Sequence, residues 1–226
     1  MTIAAGGTAG GTALVVIDAQ NDYCHPDGVF AKAGLRLDRP KQLVERINVL
    51  VRAARAGDRP VIWVRMEWSS DADVGLLAQR SAFLRGQGLR TGTWGSQLLE
   101  GLEHSPCDNV VVKPRFSAFY CTTLEALLDR LRVATIVVAG VRTDFCVEST
   151  VRDAFFRDLR VVVAEDAVAG YFDDLHRNSL RLMGTVFADV MPLTVAATAL
   201  AGNRTTDTGR RPNAPTDWER AAHAGK

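Results

Sequence analysis

Three side chains suited to covalent chemistry stand where short apolar runs give out. Leu14-Val15-Val16-Ile17 ends in Asp18, Val110-Val111-Val112 ends in Lys113, and Ile136-Val137-Val138-Ala139-Gly140 leads through a polar loop to Cys146. A thiol attacks an electrophilic carbon as its thiolate, so it needs a cation or dipole that favours the anion and a base that takes the proton. Lys113 and Asp18 are of the right type for those two tasks. The stretch after Cys146, from Val147 to Phe155, has helical spacing that sets the sulfur at or near a helix N-terminus, where a thiolate is favoured. Singly, each residue has an ordinary explanation: an aspartate closing a turn, a lysine whose stem packs on apolar neighbours, a small buried cysteine. Together they form a nucleophile, a base and a cation carried on three strand ends. The remaining cysteines lack that setting: Cys24 falls in a loop, Cys107 follows a proline, and Cys121 opens an amphipathic helix.

To bring three strand ends together, the chain must build a sheet whose strands run the same way. Runs rich in Val and Ile predict strands at 13–18, 60–66, 109–113, 135–140, 160–165 and 189–191. Amphipathic spacing predicts helices at 41–56, 95–102, 123–131, 147–157 and 173–188. Near-continuous apolar strands alternating with helices imply a single doubly wound α/β domain of three layers, with a mostly parallel six-stranded sheet over residues 13–201. In such sheets the ligand crevice lies beyond the carboxyl ends of the strands. Residues 1–12, small and Gly-rich, read as a flexible arm, and 202–226 as a polar extension without sustained apolar period. The Gly-rich pairs at 6–7 and 10–11 precede a strand rather than a helix and do not form a phosphate cradle.

Composition narrows the partners. The 226 residues carry 27 Lys and Arg against 26 Asp and Glu, a net charge of +1 that gives no electrostatic reason to expect nucleic acid or an anionic membrane surface. The longest apolar runs are strand-length, too short to span a bilayer. No basic flank precedes an apolar stretch at the N-terminus, which disfavours a secretory signal. Four cysteines without CxxC spacing argue against a disulfide framework or zinc knuckle and fit a reducing cytoplasm. His25, His104, His176 and His223 are scattered, so no metal site or cofactor is expected. Glu148 and Asp166 read as structural acids, at a helix start and a turn. Trp63, Phe155 and Phe156 fit core faces, while Trp94 is placed to approach the crevice or a subunit contact.

At these residues the sequence resembles the isochorismatase-like cysteine hydrolases, over nearly the whole chain from 12 to 200. The resemblance rests on VIDAQNDY, KPRFSAF, and AGVRTDFCVESTVRDAFFR followed by VVVAEDAVAG, in that order. It implies a catalytic triad of Asp18, Lys113 and Cys146, and a non-proline cis peptide joining Val141 to Arg142. It further implies that the backbone N–H groups of Arg142 and Cys146 face the developing oxyanion, and that the protein is a homo-oligomer. Within the family, KPRFSAF, GTWGSQLL and CVESTVRDAFF look most like ureidoacrylate amidohydrolases and related ureide or carbamoyl hydrolases. By that similarity Tyr23, Trp68 and Phe116 line the substrate pocket, with Phe116 standing where those enzymes commonly carry Tyr. Arg142 replaces a residue that is commonly small, which leaves its side chain three destinations: substrate, partner subunit or solvent. Nicotinamidase relatives carry an Asp-x-His metal motif that is missing after the second strand here. The expected reaction is hydrolysis of a non-peptide C–N bond in a small amide, ureide or carbamoyl compound through a thioester-type intermediate. Three alternatives stay open: a lactam hydrolase acting on a secondary metabolite of the streptothricin type, an isochorismate-type ether hydrolase, and an idle member serving as a binding partner.

Overall fold

The structure, a computed structural model, describes residues 10–202. Six strands, β1 (Gly11–Ile17), β2 (Val61–Met66), β3 (Asn109–Lys113), β4 (Val133–Val141), β5 (Arg160–Ala169) and β6 (Asp189–Met191), form one sheet in the order β3-β2-β1-β4-β5-β6. All pairings are parallel. Every residue of β1 from Ala13 to Ile17 is fully buried. A strand covered on both faces reads as an unbroken apolar run, which is why LVVI shows no alternation. Helices α1 (Pro40–Ala56) and α5 (Leu193–Ala201) pack together over β1 and β5. Helices α3 (Glu148–Phe155) and α4 (Asp173–Val186) pack together elsewhere on the sheet, with α2 (Leu124–Arg130) against β4.

Strands β1 to β3 build outward in one direction and β4 to β6 in the other, so the order reverses between β1 and β4. The two carboxyl ends diverge into different loops at that point, leaving the crevice in which doubly wound folds bind ligands. Gly140 makes the close approach possible. It lies at φ 114°, and a Cβ there would sit 2.0 Å from the Ile17 carbonyl oxygen of the neighbouring strand.

Several expectations need correction. The helix expected at 95–102 is absent. Only a single turn, Trp94–Ser96, is helical, because the backbone groups of this segment are claimed by the exit of β1. The Asn21 N–H bonds Gln97 O at 2.9 Å, the Leu99 N–H bonds Ala19 O at 2.8 Å, and Gln20 Nε2 donates to Ser96 O at 2.8 Å. Gly11 and Thr12, assigned to the arm, belong to β1. The rest of that arm and the extension from 203 onward lie outside the described residues. Cys24 sits in a buried helical turn rather than a loop. Cys121 precedes its helix in a left-handed turn at φ 51°. Phe156, expected in the core, is 67% exposed, and Phe155 is also exposed; the two rings meet Phe187 edge-on near the surface. Helix α5 was not anticipated: LTVAATALA is apolar nearly all round and offers no clean period. Asp166 lies within β5 rather than in a turn after it, and its carboxylate accepts the Leu193 N–H at the start of α5 at 2.8 Å.

Replacing Gly140 by Ala is expected to cost at least about 3 kcal/mol, since backbone rather than a movable side chain blocks the new methyl. Gly34, at φ 90° with nothing within 4 Å of a built Cβ, is the control, with an expected cost of about 1–2 kcal/mol. Urea midpoints of the two variants measure the difference.

Candidate active site

Asp18 is the first residue beyond β1. Its N–H still bonds Val64 O at 2.9 Å, but its φ of 49° turns the chain out of the sheet. That left-handed conformation is open to aspartate more readily than to most residues. Gln20 then fastens the turn. Its Nε2 donates to Met66 O at 3.0 Å and its Oε1 accepts the Met66 N–H at 2.9 Å, tying the end of β1 to the end of β2. Asp22 does similar work, accepting the N–H groups of Val29 at 3.1 Å and Leu89 at 2.6 Å.

Lys113 closes β3, paired in register with Met66. Along that edge strand Val111 and Lys113 point inward while Val110 and Val112 are exposed, the alternation of a half-covered strand. Lys113 is two strands from β1, roughly 9–10 Å across the sheet, and its four-carbon stem reaches over β2. The ammonium ends 2.8 Å from Asp18 Oδ2 and donates to Arg115 O at 3.1 Å and Phe116 O at 2.8 Å. Two backbone acceptors and one ion-pair partner thus surround it. Pro114 holds the exit, its carbonyl accepting Trp68 Nε1–H at 3.0 Å. Both charged side chains of the pair are fully buried, at 0% exposure.

Cys146 lies in a π-helical turn, Thr143–Val147, that runs directly into α3. The peptide bond joining Val141 and Arg142 is cis. The Arg142 carbonyl accepts from the N–H groups of Phe145 at 3.2 Å and Val147 at 3.0 Å, so Arg142 and Cys146 stand at the two ends of one tight turn. Thr150 clamps it, donating to Cys146 O at 2.7 Å while accepting the Ala118 N–H at 3.0 Å. Thr143 Oγ1 is 2.8 Å from His176 Nδ1 on α4. The Cys146 thiol is within hydrogen-bonding reach of both Asp18 and Lys113.

Cys146 is 1% exposed, and burial pushes its thiol up to about 12 despite the nearby ammonium, with Asp18 adding to the rise. Desolvation of the anion outweighs the cation, so the sulfur holds its proton until a base takes it. Asp18 is likewise raised, by burial first, with Lys113 and the thiol pulling against it. For Lys113 burial acts downward, but Asp18 and Cys146 carry it above its ordinary value, and it keeps its charge. What acts on that carboxyl at close range is the ammonium and the thiol, with a smaller contribution from the Met66 backbone.

The residues expected to line the pocket divide. Tyr23 is buried against Phe30, ring centroids 4.4 Å apart, with its hydroxyl donating to Met66 Sδ at 3.3 Å. Burial, Cys146 and Asp18 all raise its phenol, which places it within electrostatic reach of the site. Trp68 has its one polar atom spent on Pro114, so its ring serves as wall. Phe116 is partly buried, its ring 5.2 Å from Phe145, the neighbour of Cys146. Arg142 is nearly buried, at 9% exposure, rather than pointing to solvent. Its guanidinium folds back to Asp144, with Nη2–Oδ2 at 2.6 Å and Nε–Oδ1 at 3.2 Å, and lies between the rings of Phe145 at 4.3 Å and Tyr171 at 4.6 Å. Glu148 is structural, holding Arg152 and Ser179. Trp94 is exposed and meets His25 edge-on. Gln20, Asp22, Thr150, Tyr171 and His176 were not singled out as site residues. Gln20 and Asp22 lie inside the quoted VIDAQNDY segment, yet their partners are backbone groups far along the chain, which no local pattern signals.

The family model for the isochorismatase domain matches residues 12–195, and the chain belongs to that family. It is 34% identical over 205 residues to the ureidoacrylate amidohydrolase RutB of Methylobacterium radiotolerans, covering 84% of this chain and 79% of that protein. The fold matches the crystal structure of a cysteine hydrolase from Pseudomonas syringae pv. phaseolicola 1448A with a TM-score of 0.76 at 27% identity, over 84% of this chain and 92% of that one. It also matches N-carbamoylsarcosine amidase from Thermoplasma acidophilum with a TM-score of 0.66 at 27% identity, over 81% and 96% of the two chains.

The buried thiol has a consequence for stability. Its pKa is 9.0 ordinarily and about 12 in the fold, so above pH 9 the unfolded chain binds fewer protons than the native one. The stabilisation present below pH 9 is lost progressively as pH rises towards 12. Cys24, Tyr23 and Tyr171 are shifted upward too and act in the same sense. Denaturation midpoints are therefore expected to fall over that window, and a Cys146→Ala variant to show a shallower fall.

Proposed function

We propose that this protein is a cysteine-dependent hydrolase of a small amide, ureide or carbamoyl compound, cleaving a C–N bond through a thioester-type intermediate on Cys146. One observation carries the reading: a fully buried carboxylate and ammonium 2.8 Å apart, both reaching the thiol that opens a helix at the sheet's switch point. An ion pair costs desolvation that an apolar pair avoids, and a buried sulfur beside it adds nothing to packing that alanine could not supply. Their conjunction is explained by proton transfer. The similarity to proteins named amidohydrolase and amidase supports the same reaction class.

In the resting state the proton sits on sulfur. As a carbonyl group approaches, Asp18, whose raised pKa makes it a stronger base than a solvated carboxylate, takes the proton while the C–S bond forms. Lys113 remains charged throughout and offsets the negative charge passing from carboxylate to sulfur to carbonyl oxygen. The backbone N–H groups of Arg142 and Cys146 receive the oxyanion, donors of a kind worth about 3–4 kcal/mol each in transition-state stabilisation. The tetrahedral intermediate collapses as protonated Asp18 passes its proton to the leaving nitrogen. Water, deprotonated by the restored carboxylate, then attacks the thioester or thiocarbamate and returns the thiol. Arg142 does not enter these steps through its side chain, which Asp144 and two rings hold in place.

The test is mass spectrometry of the protein quenched during turnover of a substrate drawn from ureides, carbamates and primary amides. An acyl or carbamoyl adduct on the peptide holding Cys146 is the expected result, and Cys146→Ala is expected to lose roughly 10⁴-fold or more in kcat/KM. Undiminished turnover by Cys146→Ala overturns the covalent scheme.

A further inference from the structure

A cavity of about 240 Å³ opens beside Met66 and Phe116. It lies between two short helical segments, Asp71–Val74 and Leu76–Arg80, and the loop that leaves β3. Met66, Trp68, Val74, Leu77 and Phe116 form its walls, and Leu76 stands at its mouth. We propose that this cavity is a subsite for an apolar substituent of the substrate, selecting amides or ureides that carry an alkyl or aryl group of about five to seven carbons. The inference rests on the amidohydrolase reading and adds to it the class of substrate.

Continuity with the site comes first. Phe116 belongs to both places: its carbonyl accepts Lys113 Nζ at 2.8 Å, and its ring lies 5.2 Å from Phe145, next to Cys146. Met66 is shared as well, bonded through sulfur to the Tyr23 hydroxyl and paired in register with Lys113. Phe116 and Met66 thus join the cavity to the surroundings of Lys113, Tyr23 and Phe145.

The wall chemistry sets the class. The one polar side-chain atom of Trp68 is spent on Pro114 O, and Arg115, an exposed residue, turns Nη1 onto the carbonyls of Asp73 at 2.6 Å and Pro114 at 2.7 Å. A carboxylate or ammonium pressed between Met66, Trp68, Val74, Leu77 and Phe116 would shed its water and gain no partner from those five side chains. Arg80 stands exposed at the rim, where water already solvates it. Leu76, 74% exposed at the mouth, is apolar surface that an alkyl or aryl occupant covers.

Size sets the limit. The volume falls below the roughly 300–1,000 Å³ of sites that enclose a whole ligand, so one substituent enters and the reacting group stays outside. At roughly 30 Å³ per water-sized unit the space takes on the order of eight, which an unbranched or cyclic group of about five to seven carbons fills without strain.

The experiment is a chain-length series on the full-length protein: n-alkylureas from methyl to octyl, with the matching n-alkanamides to place the chain on the acyl side. In one of the two series kcat/KM is expected to climb about three- to fourfold per methylene, then to stop once five to seven carbons are reached. Leu77→Trp, which fills the cavity, is expected to flatten the climb. Leu76→Asp, at an exposed position with no folding risk, is expected to cut the hexyl-to-methyl ratio several-fold. Binding of the alkylureas to Cys146→Ala, read by calorimetry, separates this proposal from the reaction it rests on. Affinity that rises with chain length and is abolished by Leu77→Trp, without turnover of any member by the wild type, supports the subsite and overturns the hydrolase reading. Turnover that is flat with chain length, or a climb that both variants leave intact, overturns the subsite.

Discussion

The contact between Asp18 and Lys113 is what the rest of this fold has to accommodate. Both groups are withdrawn from water, at a desolvation cost of several kcal/mol per ion, and the attraction at 2.8 Å repays it only if the remaining donors are satisfied. The carbonyls of Arg115 and Phe116 do that for the ammonium, which is why the chain turns sharply after β3 and why Pro114 is pinned by Trp68. On the other side, Gln20 and Asp22 fix the exit of β1 so that the carboxylate does not swing to solvent. Removing either member of the pair leaves a buried charge alone. An apolar pair of the same volume would serve stability as well or better, so the arrangement is understood through its chemistry.

That chemistry turns on where the proton rests. Had the sulfur been exposed at the helix end, Lys113 and the dipole would have made a standing thiolate, reactive towards any electrophile. Burial reverses the order: the thiol is held up to about 12, the carboxylate is itself raised, and the cation keeps its charge. In the proposed reaction the base and the nucleophile are thus held apart from a standing ion and meet only when Asp18 takes the proton. Phe116 packs on Phe145, and Phe145 in turn on the Arg142 guanidinium held between it and Tyr171.

The strands were legible in the sequence because parallel strands buried on both faces are plain apolar runs, and Asp18, Lys113 and Cys146 stood out as reactive groups where such runs end. All six strand positions followed from the apolar runs, and the doubly wound order follows from their alternation with helices. What escaped was long-range pairing. The 95–102 segment has helical spacing, but the backbone of β1's exit claims its hydrogen bonds, and spacing does not report a competitor some 76 residues away. Helix α5 escaped for the opposite reason, since it is too uniformly apolar to show a period. Arg142 could not be placed because its partners, Asp144, Phe145 and Tyr171, come from a turn whose shape no propensity encodes. The burial of Cys146 could not be read either, because a polar neighbourhood in sequence is not a polar neighbourhood in space.

The most direct measurement of this account is the infrared S–H stretch of Cys146 at neutral pH, in protein whose other three cysteines are alanine. The account predicts a band that disappears in Cys146→Ala and moves to higher frequency in Asp18→Asn, where a neutral amide replaces the carboxylate as acceptor. A spectrum with no S–H band from Cys146, or a band indifferent to Asp18→Asn, would contradict it: the sulfur would then rest as a thiolate or have no dealings with the carboxylate.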